Sequence, residues 1–387
     1  MKTIYLISFY YGDVKAGPVI RFRRYYPFLI DQGYQIVFLT KRRNDEDEVQ
    51  TDETGIESIH FECSSAEELT KLALKYVDSK DESHLVILFY VSYRNYFDFK
   101  RSKKAGHSLL YVSTMQLTLT NKAVTRLFLK RWLLIWLLRR VYSLMNRIVT
   151  STPTLAQEFK EIGIRSEKLL SIFNGVNTTQ FAPVIQSKKE SLRKELGISR
   201  DQFVFVYVGL FVERKGVDQL LNTFKEVVKT NDNTILLLVG GEKDNMENSA
   251  RFRRDWPNLK AEALEAGWLK VYPFSDQVNT YFQLADSFVF MSKLEGMPNV
   301  LLEAMSSGLP ILTTRFEGFS DDYGVDGQHF IHFTDDFNHN VEMVSRLITS
   351  EDLREQLKEN AVQLIQEKFS LQTSIGKYTD LFNELGC

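Results

Sequence analysis

Cysteine, histidine and proline are scarce in this chain: two, six and eight residues respectively among 387. Two cysteines, Cys63 and Cys387, cannot build a disulfide framework, which points to a reducing compartment, the cytoplasm by default. The six histidines show no H-x-x-x-H spacing. The one D-x-D pair, Asp45 and Asp47 in NDEDE, lies in a charged run without a flanking apolar strand, so no metal is expected. No run of 18 apolar residues occurs, which excludes a spanning helix. The opening MKTIYLISFYYGD lacks a small-residue cleavage site and reads as a first strand rather than a leader. A complete G-x-G-x-x-G is also missing, so a dinucleotide fingerprint is not present.

Acidic residues are missing from one long stretch. Between Asp98 and Glu158 there are none, while eleven Lys and Arg fall there. Residues 1–185 carry 26 basic against 19 acidic side chains, and the remainder 22 against 31, so a net charge of −2 hides a basic first half and an acidic second. A one-sign stretch of this length calls for an anionic partner: substrate phosphates, a membrane surface or nucleic acid.

What is present is an alternation. Short Val/Ile/Phe-rich runs (TIYLISF, QIVFLT, IHFEC, LVILFYV, LLYVST, RIVTST, LLSIFN) are separated by helical-period segments, and a second series (FVFVYVGL, TILLLVGG, LKVYPF, SFVFMS, PILTTR) follows. The pattern predicts an α/β fold with two doubly wound, mostly parallel sheets. A chain longer than the roughly 250–300 residues at which single cores stop growing divides into domains. The turn NGVN and the polar FAPVIQSKKE place the division near residue 182: an N-terminal domain over 1–182, a C-terminal one over 183–370, and a last helix over 371–387 that packs back on the first. Ligands of such sheets lie outside the carboxyl ends of the strands, in a crevice that two facing sheets would form.

The most informative stretch is SKLEGMPNVLLEAMSSGLPILTT, residues 292–314. Glu295 ends a strand, and a helix opens near Pro298 and closes at Gly308. The free N–H groups of Gly296, Met297, Asn299 and Val300, with Pro298 between them, suit a phosphate or a sugar hydroxyl. Glu303, between Leu302 and Ala304, either faces a site or is a costly buried charge. Its carboxylate suits paired hydroxyls. A capped surface helix bearing two solvated glutamates fits the same spacing.

Set in EGMPNVLLEAMSSGLPI, Glu295 and Glu303 closely resemble the signature of retaining glycosyltransferase family 4, enzymes of the GT-B fold, with two Rossmann-like domains facing across a cleft. NGVN, VGLFVERKGVDQLLNTF, LVGGE and YFQLADSFVFMS are similar to further family motifs in the family's order. The resemblance implies that Glu295 holds the donor sugar, Glu303 the ribose and Lys215 the diphosphate. Where many members carry an arginine after the strand's glycine, this chain has Leu210; Arg214 is the substitute, or a solvated surface arginine. Gly17 matches the glycine that approaches the donor phosphates. Where the family often has a histidine near the transferring sugar, Thr114 or Gln116 stands, and Arg21 on the first helix faces an acceptor or solvent.

The implied reaction is metal-independent, retaining transfer of a hexose from a nucleotide-diphosphate sugar, UDP-sugar favoured, to a glycan or lipid-linked acceptor, as in bacterial cell-surface polysaccharide or lipopolysaccharide synthesis. No cofactor is implied beyond that co-substrate. KRWLLIWLLRR, residues 130–140, bears on the acceptor. As a helix its middle is apolar all round, which means burial in protein or in lipid. Trp132, Trp136, Arg139 and Arg140 form an interfacial set that favours an anionic membrane over the first-domain core, giving a peripheral protein on the inner face of the cell membrane. The competing class is a GT-B-like module that binds nucleotide sugar or nucleic acid without catalysis. Retention of Glu295, Glu303 and Lys215 favours the enzyme, and aromatic RNA-binding signatures are missing, so no nucleic acid partner is expected.

Overall fold

The computed structural model describes residues 2–9, 17–43, 47–52, 54–113, 128–242 and 248–386. The chain divides into two units: Met1–Asn174 with Gln372–Cys387, and Gly175–Leu371.

In the first unit the strands are β1 (Lys2–Ser8), β2 (Tyr34–Lys41), β3 (Val49–Thr51), β4 (Glu57–Phe61), β5 (Leu85–Leu88), β6 (Ser108–Ser113), β7 (Arg147–Thr150) and β8 (Leu169–Ser171). They form one sheet in the order β3-β4-β2-β1-β5-β6-β7-β8. All pairings are parallel except β3 with β4. Seven of these strands are the apolar runs read from the sequence. β3 was not read, because three residues with Val49 exposed carry no usable period. Helices α1 (Gly17–Asp31), α2 (Ala66–Asp78), α3 (Tyr96–Lys104), α4 (Phe128–Tyr142) and α5 (Pro153–Glu161) connect them. Local chemistry sets their starts: Ser65 caps α2 by accepting from Glu68 N, and Thr152 caps α5 ahead of Pro153, whose missing N–H costs nothing at a first position. Strand order reverses between β1 and β5, so right-handed crossovers place helices on both faces and bury these strands on both sides.

The second unit holds β9 (Phe203–Phe211), β10 (Thr234–Glu242), β11 (Leu269–Tyr272), β12 (Ser287–Phe290), β13 (Ile311–Thr314) and β14 (Ile331–Phe333), all parallel, in the order β11-β10-β9-β12-β13-β14. β14 is the strand that the sequence did not announce; it too has three residues. The helices are α6 (Gln186–Glu195), α7 (Val217–Val227), α8 (Ala250–Glu265), α9 (Val278–Leu284), α10 (Asn299–Ser306), α11 (Phe337–Thr349) and α12 (Glu351–Leu364). α6 is locked to the sheet by a buried charge cluster. Arg193 donates to Leu284 O and Gln202 O, and Arg193 and Lys189 both bind Asp286 at 2.6 Å. Such a cluster is tolerable at low exposure because both cations face the same carboxylate and Arg193 also donates to backbone carbonyls. The topological switch lies between β9 and β12, and the crevice outside their carboxyl ends is the site that this topology favours for a ligand.

The final helix, α13 (Leu371–Glu384), packs within the first unit. Tyr378 is fully buried, with its ring 5.3 Å from Phe22 and its hydroxyl accepting from Arg21 Nη1 at 3.3 Å. Tyr34 Oη donates to Asn383 Oδ1 at 2.8 Å, and Arg147 pairs with Glu384. Both units are doubly wound, Rossmann-like α/β structures, the architecture expected from the alternating apolar runs.

Candidate active site

At the switch point β9 runs into a single tight turn, Glu213–Lys215, and then Gly216. Gly216 adopts φ +67°, and a Cβ there would lie 2.1 Å from Met291 O, so only glycine lets α7 start this close to the end of β12. The turn delivers two cations to one carboxylate. Lys215 Nζ donates to Glu295 Oε1 at 2.5 Å, and Arg214 Nη1 donates to Leu294 O at 2.5 Å and approaches Glu295 Oε1 at 3.5 Å. Ser292 Oγ donates to the same oxygen at 2.5 Å. Glu295 is itself fixed through its backbone, which donates to Glu317 O at 3.0 Å.

This cluster is largely dry. The Lys215 and Glu295 side chains are 14% and 11% exposed, and the lysine ammonium stands 5.0 Å from the Phe290 ring centre. Burial pushes the Lys215 pKa down from its ordinary value, and the Glu295 carboxylate opposes that fall. The same burial, with the nearby Glu295 charge, raises the Tyr207 phenol far above its usual range, so it stays neutral and donates to Leu210 O at 2.9 Å.

From Glu295 the chain turns through Gly296, Met297 and Pro298 into α10, which begins at Asn299 as expected, with Gly308 at φ +75° just beyond its end. Glu303 is half-buried and, with Val300, lines a mainly apolar cavity of about 240 Å³. Its other walls include Gly209 and Leu210 at the end of β9, Gly240 and Gly241 in β10, and Phe274, Ser275 and Val278. A Cβ on Gly240 would lie 1.9 Å from Gly209 O, so β10 approaches β9 here only with glycine at position 240. Glu295, Lys215 and Arg214 thus form one hydrogen-bonded group, and Glu303 borders a pocket on the same edge of the sheet.

The remaining expected residues lie elsewhere. Gly17 is the first residue of α1, and the loop before it falls outside the described residues. Thr114, Gln116 and Asp45 also lie outside them. Arg21 is buried against Tyr378 of α13. Among the described residues no three His, Cys, Asp or Glu side chains are grouped to hold a metal ion, and no helix is long and apolar enough to cross a membrane. On α4, Leu138, Val141 and Tyr142 enter the first-unit core, while Trp132 and Trp136 are 69% and 44% exposed. Arg140 lies 4.7 Å from both the Trp136 and Tyr96 ring centres, and Arg139 is exposed as well. The neighbouring Phe97, 79% exposed, and Tyr93 extend this surface on α3 and the turn before it. Sequence reading passed over them because a single exposed aromatic carries no period. Ser292 and Tyr207 were likewise invisible, since nothing local marks a hydroxyl that reaches a glutamate or a carbonyl nearby.

Residues 188–364 match the family model described as Glycosyl transferases group 1. The chain is 29% identical, over 62% of its length and 59% of the relative's, to a capsular polysaccharide biosynthesis glycosyltransferase, CapM, of Staphylococcus aureus. It is 26% identical, over 58% of its length and 57% of the relative's, to a UDP-Gal:alpha-D-GlcNAc-diphosphoundecaprenol alpha-1,3-galactosyltransferase of Escherichia coli. These matches span less than two thirds of either relative. Among solved structures, Anabaena HepE in complex with UDP-glucose superposes with a TM-score of 0.73 over 99% of this chain and 100% of that one, at 14% identity. The fold is therefore GT-B. The residues that match the family model, 188–364, lie within the second unit.

Proposed function

We propose that this chain is a retaining glycosyltransferase that moves a hexose from a nucleotide-diphosphate sugar to a hydroxyl of a glycan or lipid-linked acceptor at a membrane surface. The observation that carries this reading is the 2.5 Å pair of Lys215 and Glu295 at the switch point, on the same edge of the sheet as the cavity that Glu303 lines. A buried lysine held by one carboxylate is a cation ready to exchange that partner for a diphosphate. Glu295, released, becomes an acceptor for sugar hydroxyls. In this reading the apolar walls of the cavity take the base, Glu303 takes the ribose hydroxyls, and Arg214 supplies the second phosphate contact in place of the family's arginine at Leu210.

The acceptor oxygen bonds to the anomeric carbon on the face from which the diphosphate leaves. The carbon–oxygen bond to phosphate breaks, and the acceptor proton passes to the departing phosphate oxygen. Lys215, Arg214 and the start of α10 stabilise the negative charge of that leaving group, a role for which fixed donors suffice without a metal. A UDP donor is favoured because the Escherichia coli relative is named for UDP-Gal and the Anabaena structure holds UDP-glucose. The lipid-linked diphosphoundecaprenol named for the first of these, and the exposed Trp132, Trp136, Arg139 and Arg140, support an acceptor presented at an anionic membrane.

The test is nucleotide release. Purified protein given UDP-glucose, UDP-galactose or UDP-N-acetylglucosamine with a lipid-linked acceptor should release UDP, and Glu295→Ala should slow release by about 10²-fold or more. Release unchanged by Glu295→Ala would sink the reading.

A further inference from the structure

The second unit has another cavity, and it shares a wall with the Glu295 cluster. It opens at the carboxyl ends of β12, β13 and β14 and is bordered by α7 and α11, whereas the Glu303 cavity lies against α9 and α10. Its volume of about 600 Å³ falls within the range of small-molecule sites. Amides and hydroxyls line it, Gln219, Asn222, Thr314 and Thr334 among them, together with the Phe337 ring, which is 44% exposed. Asn222 Nδ2 donates to Asp218 O at 2.9 Å, which leaves its carbonyl oxygen to accept from a ligand.

Charge around the cavity is balanced. Arg315 binds Asp321 at 2.7 Å, and Lys293 lies in the field of Glu213 and Asp218. The start of α11, one of the two helices that border it, is already capped by a carboxylate. Asp336 accepts from Asn338 N and His339 N at 2.9 and 3.3 Å, and an acidic residue, Asp218, stands in the first turn of α7. An anion meets cations that already face carboxylates and, at α11, a helix start whose donors are taken. A neutral polyol finds paired amides and hydroxyls, with an aromatic face for its C–H side.

The wall facing the active cluster is Ser292 with Thr314. Ser292 Oγ donates to Glu295 at 2.5 Å, its carbonyl accepts from Thr314 Oγ1, and the next residue, Lys293, donates from its backbone to Arg214 O at 2.9 Å. We propose that this cavity binds a neutral saccharide and that its occupancy is transmitted to Glu295 through Ser292. The second half of this statement rests on the reading of Glu295 as part of the donor site.

Saturation-transfer NMR with glucose, galactose, N-acetylglucosamine, maltose and lactose tests the site, each with excess UDP present to occupy the donor site. At least one sugar should show transfer to the intact chain. That signal should vanish in Asn222→Trp, which fills the cavity from an exposed helix position, and weaken in Phe337→Ala, while both variants bind UDP as the parent does. No transfer from any of the sugars, or transfer that both variants retain, overturns the site. For the coupling, the same sugar should change the Kd for UDP by about fivefold or more in the parent and not in Ser292→Ala; a Kd for UDP indifferent to the sugar overturns the coupling. Failure of the parent to bind UDP at all defeats the donor-site reading instead, and leaves the saccharide result to be judged alone.

Discussion

Lys215 is the residue on which chemistry and stability pull in opposite directions. Burial lowers its pKa, and Glu295 restores part of the loss. The folded lysine therefore binds fewer protons than the unfolded one between its lowered value and the ordinary value near 10.4. Across that window unfolding free energy rises with pH, because the unfolded chain holds the extra proton. Catalysis runs the other way, since only the ammonium can hold a diphosphate. We expect kcat/KM to fall on an alkaline limb below the ordinary lysine range, and Lys215→Arg, if active, to lack that limb. A limb at or above about pH 10.4 in the parent would contradict the assignment. At this scale the sequence was legible where a motif fixed the residue: Glu295, Lys215 and Glu303 all sit at the carboxyl edge of one sheet. It was not legible where tertiary approach decides. Arg214, open on the sequence between a substitute phosphate contact and a solvated surface arginine, reaches Leu294 O and Glu295 with its guanidinium. Arg21, open to acceptor or solvent on the pattern of its helix, has the Tyr378 hydroxyl as a partner 357 residues away.

Among the elements, α4 has the most to test. Its sequence is apolar all round and leaves open whether Trp132 and Trp136 turn inward. In the fold the helix buries Leu138, Val141 and Tyr142 and leaves both tryptophans exposed beside Phe97. Exposed aromatics flanked by arginines partition to a lipid interface, each basic residue contributing about 1 kcal/mol near an anionic surface. Replacing Trp132, Trp136, Arg139 and Arg140 together should abolish flotation with anionic liposomes and leave thermal stability nearly unchanged. Flotation that persists would remove this surface from the account, and a large stability loss would mean that the tryptophans serve the core. Long elements with strong periods were readable in the sequence, as the seven strands of the first sheet and five of the second attest. Two three-residue strands, β3 and β14, were not, because their pairing partners rather than their own residues make them strands.

For the whole molecule, the chain's last helix belongs to the unit with which the chain begins. Ile375, Tyr378, Leu381 and Phe382 are buried, each contributing about 1.5–3 kcal/mol on burial. Ending the chain at Leu371 should therefore expose Phe22 and Tyr25 and lower the melting temperature of the first unit, detected as earlier proteolysis within residues 1–174. Equal resistance with and without α13 would show that its packing contributes little. The central claim concerns the other unit: that the Lys215–Glu295 pair and the Glu303 cavity form one nucleoside-diphosphate site. Calorimetric titration of UDP into the parent protein, Lys215→Ala and Glu303→Ala tests this most directly. The account predicts one saturable site in the parent, weakened by about tenfold or more, some 1.4 kcal/mol, in each variant. Binding of UDP with equal affinity in all three proteins would contradict it.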